Sequence, residues 1–164
     1  MLIYTIIAAL IIAADQVSKI FLAQALENGR HINVIPKILS LVYVENRGAA
    51  FGILQGARIF FIVLTVIVLA AAIVYIVKMR PQSVCEKLAL AFIAGGAVGN
   101  FIDRMSNGYV VDFFYFEWID FPIFNVADIY VVVSCILFLL LIFFYYKEED
   151  FAFLTEQEQK NDNT

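Results

Sequence analysis

The chain has 164 residues, 63% of them hydrophobic and 16% charged, with a mean hydropathy of +0.87. That composition excludes an ordinary soluble domain and marks an integral membrane protein. The formal net charge of -4 is local: six of the fifteen acids follow Tyr146, the rest of the chain is neutral, and no nucleic-acid partner is expected.

Leu2 to Ala14 is uncharged, and a helix continuing to about residue 24 carries Asp15 and Lys19. No Lys or Arg precedes the apolar run, and Asp15 stands where a cleavable leader would need small residues, so a transmembrane helix is the better reading. Residues 27 to 57 form the first sizeable extramembrane segment. Asn28-Gly29 signals a turn, and KILSLVYVE over 37–45 is rich in strand formers, so short β-strands at the membrane surface are predicted. The spans 58–79 and 84–104 follow as antiparallel neighbours across a tight link, and the second holds Gly95 and Gly99 in small-xxx-small spacing. An aromatic-rich interfacial loop over 105–123 is expected next, then a fourth span over 126–146. Each span approaches the ~20 residues that cross a bilayer.

The expected fold is therefore an all-α integral membrane protein of four transmembrane helices, with a small extracytoplasmic β segment between helices 1 and 2. Residues 1–146 form one membrane-embedded domain, and 147–164 an acidic, disordered cytoplasmic tail. Lys and Arg outside the helices divide five against five between the two sides, so charge sets orientation only through the dense 78–87 turn, which favours cytoplasmic termini. Cys85 and Cys135 are far apart with no C-x-x-C and read as small hydrophobes.

Four spans place the end of helix 1, the 27–57 segment, the end of helix 3 and the 105–127 loop on one side. Asp15, Lys19, Asn46, Arg47, Asn100, Asp103, Arg104, Asp112, Asn125 and Asp128 all fall there. Asp15 and Lys19, four apart, share a helix face and can pair. Asn100 and Asp103 share another, and Arg104 can snorkel to the interface or hold a carboxylate. Asp112 and Asp128 have no basic neighbour in sequence. Each sits where an aqueous loop meets an apolar wall, and Asp128 can equally be a first-turn acid of helix 4. Glu117 and Asp120 read as solvated loop charges.

The sole histidine, His31, lies in a polar turn, and H-E-x-x-H and G-x-S-x-G are both missing, so neither zinc-protease nor serine-hydrolase chemistry has its residues. Two aspartates brought close would share a proton, one acting as base toward a water and the other as acid toward a leaving amine. A proton- or cation-coupled transporter is the main alternative. Its acids should be spread through the membrane depth, whereas these gather on one side.

DQVSK at 15–19, ENRGAAFGIL at 45–54, GGAVGNFIDR at 95–104, VVDF at 110–113 and FNVAD at 124–128 together resemble the motif series of bacterial lipoprotein signal peptidase, also called signal peptidase II. The resemblance implies a multi-pass aspartic endopeptidase of the bacterial cytoplasmic membrane that cleaves prolipoproteins just before a diacylglyceryl-modified cysteine. It places the catalytic pair on Asp112 and Asp128. Asp15, Lys19, Asn46, Arg47, Asn100, Asp103, Arg104 and Asn125 take supporting or substrate-binding positions. It further implies cytoplasmic termini, a site toward the outer leaflet, no metal or other cofactor, partners limited to diacylated signal peptides and membrane lipid, and inhibition by globomycin. Oligomeric state is not fixed by the motifs, and a monomer suffices.

Overall fold

The computed structural model describes residues 1–49 and 53–146; the tail from 147 and the centre of the 45–54 motif lie outside the described residues. Four helices, α1 (Leu2–Ala25), α2 (Arg58–Met79), α3 (Val84–Ser106) and α4 (Val126–Phe144), are each long and apolar enough to span a membrane. Their surfaces show why. Large apolar side chains such as Leu10, Phe21, Ile59, Ile67, Val77, Val132 and Phe143 are exposed, and α2 buries no residue at all, which is stable only where lipid replaces water.

The helix at the centre of the bundle is α3, packed against α1, α2 and α4. Its glycines make that position possible. A Cβ at Gly95 would meet Ile11 of α1, one at Gly99 would meet the Asp15 carboxylate, and one at Gly96 would meet the Ala127 carbonyl and Val131 of α4. The small-residue stripe thus faces two partners, Gly95 and Gly99 toward α1 and Gly96 toward α4. Ser83 and Glu86 close the start of α3 as a reciprocal capping box.

Above one end of the bundle lies a three-stranded antiparallel sheet in the order β1 (Ile32–Ile35), β2 (Leu39–Asn46), β3 (Val110–Phe116). The third strand corrects the expectation of an irregular loop over 105–123. VVDFFYF is a run of β-branched and aromatic residues, and it pairs with β2 in the register Asn46↔Val110, Val44↔Asp112 and Leu41↔Phe114, with an irregularity between Leu41 and Val44. Leu26, Val111 and Phe113 form a small core beneath the sheet, joined by Leu22, Leu41 and Val126. That core fixes the sheet to the end of α1, so β3 holds its residues at a set height over the helices. Two helix ends also depart from the expected bounds: α3 runs on to Ser106 and α4 stops at Phe144.

Candidate active site

Asp112 projects from β3 and is 2% exposed. Asn46, its diagonal neighbour on the same face of β2, donates from Nδ2 to Asp112 Oδ2 at 2.8 Å, and Asn125 Nδ2 donates to Asp112 Oδ1 at 2.6 Å. Burial above all, then the neighbouring Asp128 carboxylate, pushes Asp112 up from 3.8 to about 7, against the opposing pull of the two amide donors and Lys19.

Asp128 occupies the first turn of α4. Its Oδ2 accepts from Asn125 N at 3.1 Å, while Asp128 N donates to Asn125 Oδ1 at 3.0 Å. This is a capping box with Asn in place of Ser or Thr and Asp in place of Glu. The first-turn capping role expected of Asp128 is therefore real. It uses one carboxylate oxygen; Oδ1 accepts from Asn100 Nδ2 at 2.8 Å. Asn125, wholly buried, touches both carboxylates.

Behind the pair stands a buried ionic cluster. Lys19 Nζ lies 2.8 Å from Asp15 Oδ2 and 3.0 Å from Asp103 Oδ2 and donates to Asn100 Oδ1 at 2.9 Å. Asn100 Oδ1 also accepts from Asn125 Nδ2 at 3.1 Å. The ammonium thereby orients the Asn100 amide, turning its carbonyl toward Lys19 and its NH2 toward Asp128. Asp15 Oδ1 accepts from Ala127 N at 3.0 Å, a carboxylate placed against an unpaired first-turn N–H of α4. Asp103 Oδ2 accepts from Val111 N at 3.1 Å, tying α3 to β3. One cation thus binds α1, α3, β3 and α4 into a single frame.

Both aspartates line one cavity of about 440 Å³, together with Asn46, Arg104, Phe121, Phe124, Ile129 and Val132 among others. Ile129 and Val132 are exposed on the lipid-facing side of α4, so the cavity wall reaches the bilayer. Arg104 stacks over Phe61 with its guanidinium carbon 4.6 Å from the ring centre and reaches Asn100 O and Gly48 O at 3.4 and 3.5 Å. It lines the cavity without forming an ion pair among the described residues.

Arg47 is the one expected site residue that this constellation does not include. Its guanidinium pairs with Glu45 at 2.9 Å and sits 5.3 Å from the centre of the Tyr109 ring, on an exposed surface. Glu117 also departs from expectation. It is no free loop charge, since the buried Ser40 hydroxyl donates to it at 2.5 Å and His31 Nε2 lies 3.1 Å away. Asp120 is exposed, as expected, and accepts from Tyr115 Oη at 2.6 Å. Gln16 was missed. Its Nε2 donates to Asp103 Oδ1 at 3.0 Å, Gly99 O at 3.1 Å and Asp15 Oδ2 at 3.2 Å, and the signal available was a third polar residue between two charged ones inside a span.

Residues 7–144 match the model of the family described as signal peptidase (SPase) II. The chain belongs to the signal peptidase II family. It is 45% identical over 131 residues to the lipoprotein signal peptidase of Brevibacillus brevis, covering 80% of this chain and 88% of that protein. With the lipoprotein signal peptidase of Streptococcus pneumoniae strain R6 it shares 44% over 135 residues, or 82% and 88% of the two chains. A solved bacterial membrane enzyme superimposes with a TM-score of 0.83 at 35% identity, covering 90% of this chain and 93% of the other. A second gives 0.80 at 34%, over 89% and 96%. Membership makes this chain a membrane-embedded peptidase, and the likeness extends over sheet and helices together.

Proposed function

We propose that the protein removes the signal peptide of bacterial lipoproteins by an aspartic mechanism, with Asp112 and Asp128 as the catalytic residues and cleavage just before a diacylglyceryl-modified cysteine. The observation that carries this reading is the placement of two carboxylates, both held by Asn125, on the wall of a cavity whose rim reaches the lipid face of α4. A diacylated cysteine keeps its scissile bond near the membrane surface, and a site entered from the bilayer meets it there.

In the proposed reaction the pair holds one proton between its two carboxylates. The ionised aspartate takes a proton from a water, whose oxygen bonds to the scissile carbonyl carbon. The protonated aspartate gives its proton to the leaving nitrogen as the C–N bond breaks. The products are a free carboxyl end and a free amine, and the pair again carries one proton. Neither step needs a cofactor. Asn46, Asn100 and Asn125 fix the carboxylates through donors that persist when either is protonated, and the Lys19 cluster sets Asn100. Phe121 and Phe124, which line the cavity beyond β3, pack against the bound substrate. On this reading the termini are cytoplasmic and the site faces the outer leaflet.

A transport role fits less well. Among the described residues Glu86 is the one buried acid at the opposite end, and α3 carries no titratable residue from Leu88 to Phe101, a gap of about 20 Å at 1.5 Å per residue. A proton relay would have no carrier on this helix between the two ends.

The test is to incubate the purified full chain with a diacylated prolipoprotein and read the product by mass spectrometry. The expected product begins at the lipid-bearing cysteine, its formation is blocked by globomycin, and the unlipidated precursor stays intact. Cleavage of both forms at the same rate would refute the lipid-dependent reading.

A further inference from the structure

A second polar assembly sits at the end of the bundle away from the carboxylates. There α2 ends at Met79, with Arg80 in the left-handed region at φ 48° and its N–H donated to Ile76 O. Met1, Ile76, Arg80, Pro81, Gln82 and Lys87 line a hollow of about 270 Å³, and none of the six is acidic. Lys87 Nζ donates to Gln82 O at 2.9 Å and lies 5.9 Å from the centre of the Tyr4 ring, which leaves donors of its ammonium for a ligand.

Segment 78–87 contains Lys78, Arg80 and Lys87 against a single acid, Glu86. That acid is already engaged. It is 6% exposed and accepts from Tyr75 Oη at 2.8 Å, from Ser83 N at 3.0 Å and from Tyr146 Oη. Glu86 is therefore turned to Tyr75 and Tyr146, and among the described residues no acid cancels the hollow's positive charge. Among the described residues neither Arg80 nor Lys87 forms an ion pair.

We propose that this hollow binds the phosphate of an anionic phospholipid headgroup. Its depth is that of the interface, where α1 and α3 begin and α2 ends, and Val77, Met79 and Val84 beside it are exposed as lipid-facing residues are. Its lining joins apolar Met1, Ile76 and Pro81 to the cationic Arg80 and Lys87, with Gln82 completing it. A phosphate joined to glycerol and acyl chains suits both the basic and the apolar part of that lining, and basic pockets between spans are the usual form of such sites. A free phosphate would suit only the basic part.

The test uses the purified full chain in detergent micelles, with retained dioleoylphosphatidylglycerol counted against dioleoylphosphatidylcholine by native mass spectrometry. The wild type should prefer the anionic lipid, and Arg80→Asn with Lys87→Gln should lower that preference roughly 30-fold, from the typical contribution of one basic residue at a membrane surface taken twice. Asn tolerates the left-handed backbone of position 80, and Lys87→Arg alone should keep the preference. Should the double variant lose its unfolding transition, Ile76→Trp replaces it, filling the hollow at constant charge and again abolishing the preference. An unchanged preference in the folded double variant or in Ile76→Trp overturns the proposal. So does complete displacement of the bound lipid by millimolar inorganic phosphate, which would mark a free-anion site.

Discussion

Asn125 donates its side-chain amide to Asp112 at 2.6 Å while its side-chain carbonyl caps α4 at Asp128 N. One residue therefore starts the helix that carries one carboxylate and grips the other carboxylate, on a strand. Substitutions can separate the two tasks. Asn125→Ser keeps a good cap but is too short to bridge, so its unfolding midpoint should stay near wild type while prolipoprotein cleavage falls at least about 10-fold. Asn125→Ala should also lose about 1 kcal/mol of stability. Equal activity in the Ser variant and wild type would show that the bridge is idle.

The raised Asp112 pKa gives a pH signature. Between 3.8 and about 7 the folded state keeps a proton that the unfolded chain has released. Stability contributed by this group is full below the lower value and falls as pH rises through that window, by on the order of 1 kcal/mol per pH unit, then levels off. Asp112→Asn should flatten that slope in thermal unfolding scans from pH 4 to 8. On the proposed mechanism turnover should decline on the alkaline side of about 7, where the pair would lose its shared proton.

Among the described residues the buried charged side chains are Asp15, Lys19, Glu86, Asp103 and Asp112, and Lys19 is the only cation of the five. Lys19→Met leaves Asp15 and Asp103 facing each other without compensation, a loss of about 3–5 kcal/mol. Unfolding should show this directly, and Lys19→Met combined with Asp15→Asn should recover part of it. If the single variant matched wild type in stability, the cluster would not be the frame of the site.

At Gly99 a Cβ would lie 2.5 Å from Asp15 Oδ2 and 3.4 Å from Ala127 Cβ. Gly99→Ala must therefore displace the ion pair, with an expected cost of about 1–3 kcal/mol and a matching loss of activity. Gly108, at φ 85°, meets only the tip of Arg58 at 3.6 Å; Gly108→Asn, which suits that backbone, should be nearly neutral. Comparable losses at both positions would contradict the assignment of Gly99 to close packing.

Much of this was legible in the chain because membrane physics is strict. Uncharged runs of span length had to be helices, and Asp15 four residues before Lys19 had to find partners inside lipid. The third strand was harder to see, because Val110–Phe116 depends on β2, more than sixty residues earlier, and its rings suit an interfacial loop equally well. Glu117 was misread for a related reason, since its partners Ser40 and His31 lie across the sheet. Arg47 shows the opposite case: a motif residue can be recognised in sequence while its side chain points to Glu45 and Tyr109.

The most direct measurement is single-turnover cleavage of a diacylated prolipoprotein by purified Asp112→Asn and Asp128→Asn, each shown by its unfolding transition to be folded. With both carboxylates acting on one water, each variant should lose at least about 100-fold in rate. Wild-type cleavage by either folded variant would contradict the account.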